Sequence, residues 1–325
     1  MSEIKIETIE YVRNPMHDAV ANNDPLEDKL HVISVISSVN SDEQHYQLMH
    51  EFIKRMEFEE SDVELYIVEL VCGTRDFQIT NEDNKHHLQI RTETPLWYKE
   101  NLINIAVDKL LPKTAKCFAF IDPDIEFEST TWVQDTLKIL NGSRDVVQLY
   151  SHCDDLNSDK LANRTFSSFG YHYTKRNKYS DTGPNYWNPG HAWALTRKFY
   201  NKMNGLYDLN ILGFNCQVFS LSFIKNVLNS ANEEFTQGYL DSILSFQEKT
   251  KGIRLGYVPG VIRHYYSDTK VNPNIFRWEL LIKHKYNPKI HMSKNDIGLL
   301  TPTNLFPQDL LLNIAKYYSY PEYDL

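Results

Sequence analysis

No stretch of this 325-residue chain is apolar for long enough to span a membrane. Its opening, Met1-Ser2-Glu3-Ile4-Lys5, has neither the basic nor the apolar region of a secretory signal, so a soluble protein without a membrane span is expected. Cysteine is scarce: Cys72, Cys117, Cys153 and Cys216 stand far apart, with no Cys-x-x-Cys pair near histidines, which disfavours a zinc site. Together with the missing signal this points to a reducing, cytoplasmic compartment, where the thiols act as small buried apolar groups and the sequons at Asn141 and Asn163 carry no meaning. Positive charge is also short. A net charge of −9 leaves no basic face to grip a phosphate backbone and disfavours a nucleic-acid partner, with Lys175-Arg176-Asn177-Lys178 as a local exception. What is present is a folded core: 42% hydrophobic and 13% aromatic residues exclude a disordered chain.

The most informative stretch is Lys116 to Phe127, an apolar run that ends in Asp122-Pro123-Asp124. Alternation along an extended backbone sends Asp122 and Asp124 to one side, and Pro123 lacks the amide hydrogen of a central strand, so the strand stops there. Two adjacent carboxylates repel, and a bound divalent cation keeps both ionised at neutral pH. Mg²⁺ or Mn²⁺ uses one or two such carboxylates and completes its shell with water and substrate phosphates, which suggests a metal-bridged diphosphate. An Asp-Pro-Asp turn closing a buried strand accounts for the same residues, and the sequence leaves both readings open.

The surrounding pattern is α/β. Residues 1–29 are polar, broken at Asn22-Asn23-Asp24-Pro25, and read as a loosely held arm. His31 to Asn40 is rich in β-branched residues and reads as a buried parallel strand; Tyr46, Met49, Phe52, Ile53 and Met56 then recur at helical spacing behind an N-cap at Asp42 or Ser41. Val63 to Val71 completes a strand-helix-strand unit. A helix from about Leu96 to Leu111 feeds the strand ending at Asp122, another covers Trp132 to Leu140, and Asp145 to Tyr150 is a further strand. In such sheets ligands sit beyond the carboxyl ends of the strands, where Glu69 and the Asp pair both fall. Ser151 to Tyr186 is polar and aromatic without period and reads as a long functional loop.

Trp187-Asn188-Pro189-Gly190-His191-Ala192-Trp193 packs two tryptophans, a histidine and a Pro-Gly break together, which suits a wall for a ring-shaped ligand. Ordinary aromatic packing under a turn accounts for the same residues, and composition alone favours it. A helix follows from Arg197 to Met203. Gly256 to Tyr266 reads as a strand bent at Pro259 and Gly260 with His264 at its exit. Alone, that histidine is an ordinary structural residue; beside a carboxylate pair on an α/β nucleotide fold, it completes the parts of a metal-dependent sugar transferase.

Four segments carry a family likeness: Arg91 to Asn104, Ile121 to Phe127, Trp187 to Ala194 and Gly256 to His264. In these the chain resembles the GT-A class of nucleotide-diphospho-sugar glycosyltransferases, and within it a family 2-like group of bacteria and large viruses. The resemblance implies a single Rossmann-like domain over 30–295, a mixed, mostly parallel sheet flanked by helices, followed by a C-terminal extension over 296–325. It implies a hexosyltransferase-type enzyme using Mn²⁺ or Mg²⁺ and a nucleoside-diphosphate sugar, with a glycan, protein or modified nucleobase as acceptor. For a viral member the compartment would be the host cytoplasm. By the same resemblance Asp124 and His264 are metal ligands, and Asp122 binds the metal or the donor ribose. Glu69, Arg91, Lys99 and Asn101 flank the donor; the aromatic wall itself, with Trp187, His191 and Trp193, suits the acceptor.

One segment departs from the pattern. Relatives carry an acid shortly after an Ile-Leu-Gly triplet, but here the chain reads Ile211-Leu212-Gly213-Phe214-Asn215-Cys216-Gln217. A catalytic base then falls to Glu233, Glu234 or Asp241, each of which also reads as a solvated charge. The alternative is a catalytically impaired nucleotide-sugar-binding protein of the same fold. A nucleotidyltransferase is disfavoured, because Ser37 to Asp42 offers neither glycine nor cation for a phosphate loop.

Overall fold

The computed structural model describes residues 15–265 and 273–319. Its strands are β1 (Leu30–Ser37), β2 (Val63–Cys72), β3 (His87–Thr92), β4 (Cys117–Ile121), β5 (Ile125–Phe127), β6 (Val146–Gln148), β7 (His152–Leu156), β8 (Ala162–Ser167), β9 (Ala192–Thr196), β10 (Leu255–Tyr257), β11 (Val261–His264), β12 (Met292–Lys294) and β13 (Leu300–Pro302). The helices are α1 (Pro15–Ala21), α2 (Glu43–Phe58), α3 (Lys99–Lys109), α4 (Trp132–Leu140), α5 (Phe169–Thr174), α6 (Arg197–Met203), α7 (Asn215–Phe223), α8 (Gln237–Lys249), α9 (Pro273–Lys283), α10 (Pro288–His291) and α11 (Gln308–Ser319).

Alternating apolar side chains on both faces build the main sheet. In β1, Ile33 enters the core on one face, while Leu30, Val32 and Ile36 enter the core on the other; β4 divides the same way between Phe118 and Phe120 and Cys117, Ala119 and Ile121. Seven strands follow in the order β10-β6-β9-β4-β1-β2-β3. All pairs are parallel except the two made by β9, so the sheet is mixed and mostly parallel, as the sequence suggests. Helix α2 starts at an Asp42 cap in which His45 N donates to the carboxylate at 3.0 Å, and buries Tyr46, Met49, Phe52 and Met56. Helix α3 covers the opposite face. No helix among the described residues is long and apolar enough to cross a membrane.

Three expectations change. The stretch 151–186 is no irregular loop: β7 and β8 form a hairpin in a second, four-stranded sheet of order β5-β11-β7-β8. Its period was hidden because β8 is mostly exposed on both faces. The single bent strand expected at 256–266 is two strands, since Pro259 and Gly260 carry the chain from β10 in the main sheet to β11 in the second; Tyr266 lies outside the described residues. At the ends, residues 1–14 and 320–325 lie outside them too. What is described of the expected arm is held: Glu27 accepts from Lys116 N and Cys117 N at 3.0 and 3.1 Å. The expected C-terminal extension contributes Leu300, Leu310 and Ile314 to the main core, each at most 1% exposed.

Candidate functional site

The site forms where β4 leaves the main sheet. Ser34 Oγ on β1 donates to Ile121 O at 2.9 Å, fixing the strand end, and Asp122 N donates to His191 O at 2.8 Å, tying the Asp-Pro-Asp turn to the segment before β9. Gly190 O accepts from Gln148 Nε2 and Tyr150 OH at 3.0 and 3.1 Å, so the end of β6 pins that segment. His191 itself sits at φ +75°, a left-handed conformation uncommon for residues other than glycine, which turns its ring into the site.

Asp122 meets Lys99, the first residue of α3, in an ion pair whose side chains are 21% and 25% exposed. Burial opposes the charge on Lys99, but Asp122 and Glu100 outweigh it and hold its pKa above the ordinary lysine value. Asp124 meets His264: the register of β11 on β5 and β7 places His264 opposite both Ile125 and Asp155. His264 Nε2 lies 3.3 Å from Asp124 Oδ2, and its Nδ1 lies 2.8 Å from Asp155 Oδ1. Burial lowers the pKa of His264, yet hydrogen bonds to the two carboxylates push it up to about 10. His191, whose ring centroid is 4.5 Å from that of His264, is pushed down to about 3, by burial first and then by the His264 charge. A neutral imidazole is the ligating form.

Asp124, His191 and His264 each offer a ligand atom, and these lie within 4.8 Å of one another. They fit a divalent cation on a further observation: Asp124 Oδ1 is buried and has no hydrogen-bond partner among the described residues, an arrangement that is costly unless something else occupies the oxygen. Asp155, on the other ring nitrogen of His264, stands where an outer carboxylate would orient a ligating histidine. We expect Asp155→Asn to weaken Mn²⁺ affinity by about 10- to 100-fold, measured by titration calorimetry; an unchanged affinity would show that the histidine needs no such support.

Of the residues read from sequence, Lys99, Asp122, Asp124, His191 and His264 come together, with two changes of place. His191, expected at the acceptor, stands with Asp124 and His264 in the candidate metal group, and Asp122, expected as a possible ligand, is held by Lys99. The others are elsewhere engaged. Glu69 is fully buried and accepts from Gln78 N, Ile79 N, Thr80 N and Thr80 Oγ1 at 2.8 to 3.0 Å, so its lone pairs hold the loop after β2 and not a nucleoside. Arg91 Nη1 donates to Gly73 O and Arg75 O in the same loop, over the Phe77 ring. Asn101 is 1% exposed; its amide nitrogen donates to Asp208 Oδ2 and Gly298 O and its oxygen accepts from Leu300 N, clamping the C-terminal segment. The stacking wall does not form: Trp187 and Trp193 are 4% and 1% exposed, packed edge-on against Phe169 and Phe219, so core packing explains them. Glu233 and Glu234 are exposed ahead of α8, and Asp241 is exposed on it, accepting from Gln237 Nε2 at 2.8 Å; they are solvated charges.

Sequence reasoning missed Asp155 and Glu100. Asp155 lies in a polar strand with no signal of its own, and only strand register brings it to His264. Glu100 follows Lys99 directly and looks like an ordinary first-turn acid.

No family model matches the chain, and no curated protein matches it in sequence. Among solved structures, the catalytic domain of Drosophila β1,4-galactosyltransferase 7 with xylobiose is similar at 12% identity and a TM-score of 0.37, over 90% of this chain and 99% of that one. A mutant of that enzyme with manganese, UDP-Gal and xylobiose aligns at 12% identity and a TM-score of 0.39, over 89% and 99%. A putative nucleotide-diphospho-sugar transferase from Desulfovibrio desulfuricans aligns at 9% and 0.32, over 80% and 99%. Likenesses at this distance assign no activity to this chain.

Proposed function

We propose that the protein is a metal-dependent glycosyltransferase of hexosyltransferase type, taking a nucleoside-diphosphate sugar as donor. The observation that carries this reading is the group Asp124, His191 and His264, with its unpartnered Asp124 Oδ1, set beside the Lys99–Asp122 pair at the end of β4. A cation held there would stabilise the negative charge of a departing diphosphate. Lys99 adds a fixed, partly exposed ammonium on the same side, and Asp122 holds it in place and offers a carboxylate to a ribose hydroxyl. Two imidazoles and one carboxylate suit a first-row transition ion such as Mn²⁺ better than Mg²⁺, which prefers oxygen ligands. The acceptor class, whether glycan, protein or modified nucleobase, is open. Four free cysteines, two of them buried, accord with a cytoplasmic protein.

The test is calorimetric titration with UDP and GDP in Mn²⁺ and in EDTA. Binding of one of them that depends on Mn²⁺ is expected; equal binding in EDTA would refute the reading. A second reading, a nucleotide-sugar-binding protein with impaired turnover, draws on Asn215 standing where an acid is expected. Release of free sugar from a bound donor in Mn²⁺ separates the two, because a transferase leaks donor to water and a binding protein does not.

A further inference from the structure

Beside Lys99, the first turn of α3 carries a buried acid that the proposed reaction does not yet use. Glu100 is 8% exposed, and its Oε2 accepts from Trp97 Nε1 and from Asn215 Nδ2, both at 2.8 Å. Asn215, the first residue of α7, is 1% exposed, and its amide also donates to Asn210 O at 3.1 Å. A carboxylate therefore does stand at the segment after Gly213, delivered by α3 across one hydrogen bond. Lys99, Glu100, His191 and Asn215 line a cavity of about 20 Å³ together with the rings of Phe120 and Trp193. That volume admits a single water-sized group, and a charged carboxylate beside it is the strongest acceptor for such a group's proton.

We propose that this cavity seats the acceptor hydroxyl, or a water in its stead, and that Glu100 is the catalytic residue that takes its proton. The inference rests on the glycosyltransferase reading above. In the step, the hydroxyl oxygen forms a bond to the anomeric carbon of the donor. The bond from that carbon to the diphosphate oxygen breaks, its electron pair leaves with the diphosphate, and the hydroxyl proton passes to Glu100. Inversion at the anomeric carbon follows. Burial raises the pKa of Glu100 above the ordinary glutamate value against the pull of Lys99, and His191 in the same cavity wall, Cys216 from α7 and Tyr318 from α11 are further titratable groups around it. A raised value brings a carboxylate nearer the operating pH of a general base.

The experiment follows hydrolysis of UDP-glucose and UDP-galactose in Mn²⁺ by the full chain, together with calorimetric binding of UDP. Glu100→Gln keeps the shape of the side chain, and turnover is expected to fall about 100-fold or more while UDP affinity stays within about threefold. For the unsubstituted protein, turnover is expected to decline in acid with a midpoint above the ordinary glutamate range. Unchanged turnover in the variant, or a flat acid limb, overturns the inference; so does a parent that binds UDP with Mn²⁺ and leaves the donor intact at every pH. A parent that binds no nucleotide refutes the glycosyltransferase reading itself, so the two failures are distinct.

Discussion

Asp124→Ala is expected to remove Mn²⁺-dependent binding of a nucleoside diphosphate, an effect of at least about 100-fold in affinity, or about 2.7 kcal/mol. The size follows from the position. Asp124 is the one carboxylate in the ligand group, and its Oδ1 has no hydrogen-bond partner among the described residues. Without it, two imidazoles remain, and the site loses the negative charge that attracts a cation. The fold is expected to tolerate the change, because alanine keeps the bond from Tyr265 N to the backbone oxygen at 2.8 Å, and His264, which loses its Asp124 partner, keeps Asp155. Calorimetry with UDP in Mn²⁺, alongside a thermal melt, separates a lost site from a lost fold. Full affinity in a well-folded variant would mean that the cation, if it binds, sits elsewhere.

The second large effect concerns stability. Glu69→Ala is expected to lower the unfolding free energy by about 3 kcal/mol, because hydrogen bonds to a charged group contribute about 1.5 to 3 kcal/mol and removing the acceptor strands its donors. Three backbone amides and one hydroxyl converge on this carboxylate at zero exposure. Urea denaturation measures the loss through the midpoint at unchanged slope. Were Glu69 instead a nucleoside contact, the substitution would weaken nucleotide binding and leave the melt nearly where it was. That outcome would reverse the correction drawn from its hydrogen bonds.

The contrast between Glu69 and Asp124 shows what residue type reveals and what it leaves hidden. Both are acids near the carboxyl end of a strand, and both were read as ligand contacts. Their difference lies in backbone amides at 78–80, which no property of Glu69 announces. The sheet was legible because apolar period is a local signal: β1 and β4 feed both faces, and α2 carries its stripe. Polar strands were not, since β7 and β8 lack that signal and form through pairing, β7 with β11 and β8 with β7. For the same reason the site was half visible. Asp122 and Asp124 announce their chemistry by type and spacing and His264 enters through the family resemblance, whereas Asp155 depends on the register of β11 on β7. The place of His191 depends on a left-handed turn pinned by Gln148 and Tyr150. The tryptophans at 187 and 193 misled because a flat ring serves a core as well as a sugar.

Growing crystals with Mn²⁺ and collecting anomalous diffraction at the manganese edge tests the central claim most directly. One peak is expected, bonded at about 2.0 to 2.3 Å to one atom each of Asp124, His191 and His264. A peak that engages Asp122 in place of His191, or no peak near these three side chains, would contradict the site on which the proposed function stands.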